Sequence, residues 1–133
     1  MFPFEFTIKG PPVSQQTRNR QRLRQWRDDV NASASAAWPH ESATGDEVSL
    51  VITYYYEGES PDVDNIIKPI QDALIGVVFN DDDQVVDTKA RKRQIDGSFR
   101  IRGVSPVLLN AFSDGDDFIH IKVEEAPDME DLD

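Results

Sequence analysis

The sequence has no cysteine. That excludes disulfides, iron–sulfur clusters and cysteine-ligated zinc, and it fits a reducing compartment. Histidine is nearly missing as well, with only His40 and His120 among 133 residues. There is no HExxH and no GxxxxGK loop, which removes zinc-protease chemistry and P-loop nucleotide binding. No apolar run approaches the roughly 20 residues of a membrane span. The start, MFPFEFTIKG, lacks a basic segment and a long apolar stretch, so it does not read as a signal peptide. The expectation is a cytoplasmic protein with no membrane association and one small domain.

Positive charge is scarce overall, at a formal net charge of −11. That total argues against a nucleic-acid partner, but the distribution does not. From Asp114 onward there are nine acids and one base, while residues 1–113 carry 16 acids and 13 bases. Eleven of the 14 bases lie in two short segments, RNRQRLRQWR (Arg18–Arg27) and Lys89–Arg102. A local positive surface can therefore coexist with an acidic total.

The patterning predicts an α+β fold: a single small domain with a mixed sheet and two main helices. Phe4 to Lys9 alternates as a strand and stops at Gly10-Pro11-Pro12. Residues 17–37 read as a helix capped by Thr17, with Leu23, Trp26, Val30 and Ala34 on one stripe. Val48 to Tyr56 is a strand with Leu50, Ile52, Tyr54 and Tyr56 on its inner face. A second helix is expected over 65–77, capped by Asp64 or Asn65, with Ile66, Ile67, Ile70, Ala73, Leu74 and Val77 facing the core. Further strands are expected over 84–93, 99–102 (after an Asp96-Gly97 turn) and 118–123. Ser105-Pro106 reads as the cap and first position of a short helix. The domain is expected to span 1–124, with an acidic, mobile tail over 125–133.

Carboxylates gather at both ends of the second helix. Asp62-Val63-Asp64 in extended chain would set two carboxylates on one side, about 6–7 Å apart. Hard oxygen ligands of this kind select Mg²⁺ or Mn²⁺. The competing reading is that these residues are caps and turns. The loop Asn80–Asp83 is the third part. A helix of about 12 residues is about 18 Å long, too long for this loop to close on Asp62. A dimer, or a short helix with a bent C-terminal segment, would bring them together. Lys68 lies four residues from both Asp64 and Asp72, which suits either a surface ion pair or a cation beside a phosphate. The strand after the loop carries Lys89, Arg91 and Arg93 on one face, fit for solvent or for tracking phosphates.

Taken together, D-V-D-N-I-I-K-P-I-Q-D-A-L and N-D-D-D-Q-V-V-D resemble the signature of the RusA family of Holliday-junction resolvases. GPPVSQQTRNR resembles that family's N-terminal motif. The resemblance implies a homodimeric, Mg²⁺-dependent endonuclease that makes paired symmetric nicks in four-way DNA, with Mn²⁺ able to substitute and no small-molecule cofactor. It implies that Asp62, Asp64 and Asp82 bind the metal and that Lys68 is the essential basic residue. Asn65, Asp81 and Gln84 match motif positions and would support the site. Arg18, Arg20 and Arg22, with Lys89, Arg91 and Arg93, would contact DNA. Two alternatives keep part of this picture: a nuclease for flaps or forks using the same residues, or a non-catalytic interaction protein using its acidic tail.

Overall fold

A computed structural model describes residues 2–58, 62–95 and 103–128. Four strands form one mixed sheet: β1 (Phe4–Lys9), β2 (Val48–Tyr56), β3 (Val85–Gln94) and β4 (Phe118–Glu125), in the order β1-β4-β2-β3. β4 runs antiparallel to both β1 and β2, whereas β2 and β3 are parallel. Three helices complete the domain: α1 (Arg20–Ala37), α2 (Ile67–Leu74) and α3 (Pro106–Asp114). The α+β expectation holds: α1 and α2 are the two main helices expected, and α3 is the short one expected after Ser105-Pro106. No helix among the described residues is long and apolar enough to cross a membrane.

The register fixes what each sheet face carries. Phe4, Phe6, Leu50, Ile52, Tyr54, Ile119, Ile121 and Val123 lie on one face and are buried under α1 and α2. The α1 stripe of Leu23, Trp26, Val30 and Ala34 is buried there as expected, with Ile70, Ala73 and Leu74 of α2. Burying each large aliphatic side chain stabilises the fold by about 1.5–3 kcal/mol. α3 packs on the other face through Leu108 and Ala111 against Phe118 and Tyr55. Ser105 caps α3 by accepting from the Leu108 N–H, with Pro106 in the first turn.

Several boundaries move. Thr17 does not cap α1; Asn19 does, accepting from the Arg22 N–H at 3.1 Å, because residues 14–17 form their own turn. α2 is eight residues, not thirteen, and neither Asp64 nor Asn65 caps it. Those two sit in a turn, and the helix begins at Ile67 after Ile66. Pro69 gives the reason: starting at Ile67 places it at the third helical position, where its missing N–H removes no intrahelical bond. α2 also ends early, at Leu74, and Val77 lies beyond it. β4 runs on to Glu125, with Glu124 and Glu125 paired to Ser49 and Val48, so the acidic residues from Glu124 begin as strand. The expected Asp96-Gly97 turn, the 99–102 strand and residues 129–133 of the expected tail lie outside the described residues.

Candidate active site

Two candidate segments flank α2. The first is the turn before it. Both oxygens of Asp62 are engaged, accepting from the Asp64 N–H at 3.1 Å and from Asn65 Nδ2 at 3.2 Å. Asp62, rather than Asp64, therefore organises this turn. Asn65 is held in its own right: its carbonyl accepts the Gln15 N–H at 2.8 Å. Gln15 belongs to GPPVSQQTRNR, so the N-terminal motif and the DVDN motif are joined by a backbone bond. Arg20 Nη1 donates to the Gln15 carbonyl at 3.1 Å and closes that corner.

The second segment is the loop after α2. The helix is about 12 Å long. Ile75 leaves it in extended conformation, and Gly76 then adopts φ +87°, a left-handed turn that suits glycine. Its N–H donates to the Phe79 carbonyl at 2.7 Å, and Val78 and Phe79 turn inward to be buried. The aspartate loop emerges from this bend. Asp82–Gln84 form a single 3₁₀ turn, with Asp81 in extended backbone before it.

Lys68 stands at the second position of α2, and its charge opposes the net rise of the Asp82 pKa. Lys68 Nζ also pairs with Asp72 at 3.4 Å while remaining largely exposed, so the surface ion pair anticipated for it is present too. The Asp81 and Asp82 carboxyls can hydrogen-bond when one of them carries a proton. Asp81 is held below the ordinary carboxylate range by that bond and by the backbone N–H groups of Asp82 and Asp83. Asp82 is raised by the same bond and by the charge on Asp81, with Lys68 opposing.

The three expected metal ligands, Asp62, Asp64 and Asp82, are all solvent-exposed. Their chemistry suits a hard divalent cation, and a carboxylate accepting one bond per oxygen keeps further lone pairs. Among the described residues, however, no three His, Cys, Asp or Glu side chains are gathered closely enough to hold an ion. The structure ties Asp62 to Asn65 and Lys68 to Asp72; it does not draw the three aspartates into one cluster.

The basic residues divide between surfaces. Arg18, Arg20 and Arg22 are exposed at the start of α1. Lys89, Arg91 and Arg93 pair with Val51, Thr53 and Tyr55, so they point from the sheet face opposite α1. Arg91 is half-buried and donates to Thr53 Oγ1 through Nε at 3.1 Å and Nη2 at 3.0 Å. Two of its donors thus serve a fully buried threonine.

Two anchors were invisible in the sequence. Asp117, counted there among the acids of the C-terminal end, accepts from the Tyr54 hydroxyl at 3.0 Å and the Glu57 N–H at 2.9 Å. Its carbonyl accepts from Gly10 at 2.9 Å. Burial and this carboxylate push the Tyr54 phenol's pKa upward. Asp117 thereby fixes the exit of β2, where the chain sets out toward Asp62. The carbonyls of Thr44 and Asp46 are the other anchor, accepting from the Gln84 side chain. Both link residues more than 35 positions apart, and no local pattern signals such a contact.

A search of the curated proteins finds no match. A family model described as endodeoxyribonuclease RusA matches residues 8–102, which takes in Gln15, the DVDN turn, Lys68 and the aspartate loop. The chain belongs to the RusA endodeoxyribonuclease family.

Proposed function

We propose that this chain is a Mg²⁺-dependent endodeoxyribonuclease that resolves four-way DNA junctions by paired symmetric nicks, working in the cytoplasm as a homodimer. The observation that supports the reading is the backbone bond that joins the DVDN turn to the N-terminal motif, from the Gln15 N–H to the Asn65 carbonyl at 2.8 Å, with Asp62 held in that turn by Asn65. In this reading Asp62, Asp64 and Asp82 hold the cation, and Mn²⁺ can replace it. The bound metal would activate water and stabilise charge on the phosphate. Asn65 and Gln15 fix where Asp62 stands before any ligand arrives. Lys68, largely exposed on α2, offers its ammonium to a phosphate oxygen. Arg18, Arg20, Arg22, Lys89, Arg91 and Arg93 contact backbone phosphates of the arms. Because the three carboxylates stand apart in one chain, gathering them on one ion requires their exposed side chains to reorient or a second copy to contribute. A two-fold dimer matches two symmetric cuts.

The test is cleavage of a labelled synthetic four-way junction, beside linear duplex and a flap, with Mg²⁺ or EDTA, using wild type and Asp64→Asn. Paired nicks in the junction alone, lost with EDTA and in the variant, are expected. Cutting of flaps in place of junctions would retain the chemistry and reject the substrate. Binding without cutting in any divalent metal would reject the enzyme.

A further inference from the structure

Gln84 ends the 3₁₀ turn just before β3, two residues after Asp82, and its side-chain amide is fully used. Oε1 accepts from the Asn80 N–H at 2.8 Å and the Asp81 N–H at 3.0 Å. Nε2 donates to the Thr44 carbonyl at 2.9 Å and the Asp46 carbonyl at 2.8 Å. A primary amide has two N–H donors and two carbonyl lone pairs, so its whole hydrogen-bonding capacity is met by backbone. The arrangement also fixes the amide's orientation, since a flipped group would set N–H against N–H and oxygen against oxygen.

The bonds join two loops far apart in sequence. Residues 44–46 lead into β2, and 80–81 lead into the aspartate turn. Asn80 Nδ2 adds a weaker tie to the Thr44 carbonyl at 3.3 Å, and Thr44 and Phe79 form an isolated bridge. The chain is thus clamped on both sides of Asp82, by Asn80–Asp81 before it and by Gln84 entering β3 after it. Asp81, Asp82 and Asp83 are exposed, so no burial of their own side chains holds them in place.

We propose that Gln84 is a positioning residue for the metal site: it holds the Asp82 loop where its carboxylate meets the cation, without touching cation or DNA itself. This rests on the reading of Asp82 as a ligand. A group that orients a metal ligand typically contributes 10–100-fold in metal affinity.

The experiment is a Mn²⁺ titration of the full-length protein, followed by electron paramagnetic resonance of free Mn²⁺, on wild type, Gln84→Met and Asp82→Asn, with melting temperatures taken without metal. Gln84→Met keeps the side chain's length and removes all four bonds. Affinity weaker by about 10–100-fold in both variants is expected. Weakening in Asp82→Asn alone, with Gln84→Met lowering only the metal-free melting temperature, would make Gln84 a plain structural tie and overturn the proposal. Unchanged affinity in both would sink the Asp82 reading, and the role of Gln84 with it. Should Gln84→Met not fold, hydrogen exchange on wild type takes its place. The Asn80 and Asp81 amides are then expected to exchange at least about 10-fold slower than in an unstructured peptide, and free-peptide rates would overturn the clamp.

Discussion

On the α1–α2 side of the sheet, Leu50, Ile52, Ile119 and Ile121 are sealed from water by two helices. On the other side, among the described residues, α3 packs its apolar side chains on Tyr55 and Phe118 and reaches Glu5 of β1 through Ser105, while the rows between carry charge. One row across the sheet reads Glu5, Lys122, Val51, Lys89; the next reads Thr7, His120, Thr53, Arg91. The first face is held by non-directional burial, the second by specific polar contacts. Glu5 Oε1 is the centre of those contacts, accepting from the Ser105 hydroxyl and lying 3.1 Å from His120 Nε2. It ties β1, β4 and the N-terminus of α3 together. A face held by area should lose stability in proportion to what is cut away. A face held by polar pairs should respond to pH and to the loss of single atoms.

The largest effect should come from the apolar face. Leu74→Ala, at a fully buried position, is expected to cost about 2–5 kcal/mol, read by urea denaturation. The same truncation at Leu109, which is 51% exposed on α3, should stay within about 0.5 kcal/mol. Equal losses at the two sites would erase the contrast.

Next comes the polar face. Glu5→Ala removes the acceptor for Ser105 and His120 and should cost about 1–3 kcal/mol, because both groups are left partly buried without it. Glu5→Gln, which keeps an acceptor oxygen, should recover part of that loss, and no recovery would argue against the hydrogen bonds as the cause.

Acid supplies a finer test. Burial lowers the His120 pKa, outweighing the pull of Glu5. Burial alone would raise Glu5, but hydrogen bonds from Ser105 and His120 and the charges of His120 and Lys122 lower it. Both groups bind fewer protons folded than unfolded, so each adds stability that is lost as pH falls. The loss should begin as pH drops below 6.5, where the unfolded histidine protonates, and a second should follow below 4.5, from Glu5. His120→Gln should flatten the first step and keep the second. An unchanged profile would count against His120 as its source.

The smallest change in stability belongs to the cations of β3. Lys89→Gln with Arg93→Gln should shift unfolding by less than about 0.5 kcal/mol. If these side chains contact DNA phosphates, the slope of log affinity against log salt should fall by about 2, at roughly 0.9 per contact. An unaltered slope would leave that face to solvent alone.

Much of the apolar face could be read from the sequence because its information is local. Spacing placed Leu23, Trp26, Val30 and Ala34 on one helix stripe, and alternation set the inner face of β2. Ser105-Pro106 marked the start of α3. Val78 and Phe79 escaped this reading, since they are buried by the bend after α2 and fit no helix period. Their burial follows from Gly76, whose positive φ the residue type permits but does not require.

For the candidate site, sequence alone determined the cast: Asp62, Asp64, Lys68, Asp82 and Gln84 stand out by residue type and motif spacing. It also determined the family, because that pattern has many fixed positions over a short stretch. Tertiary structure decided the contacts. The join of Gln15 to Asn65, the clamp of Gln84 on Thr44 and Asp46, and the anchor of Asp117 on Tyr54 and Glu57 all link distant segments. The physical reason is range. Propensity, capping and periodicity act over a few residues, whereas a hydrogen bond across 40 or more positions, such as Gln84 to Thr44, exists only once the sheet has set both ends in place.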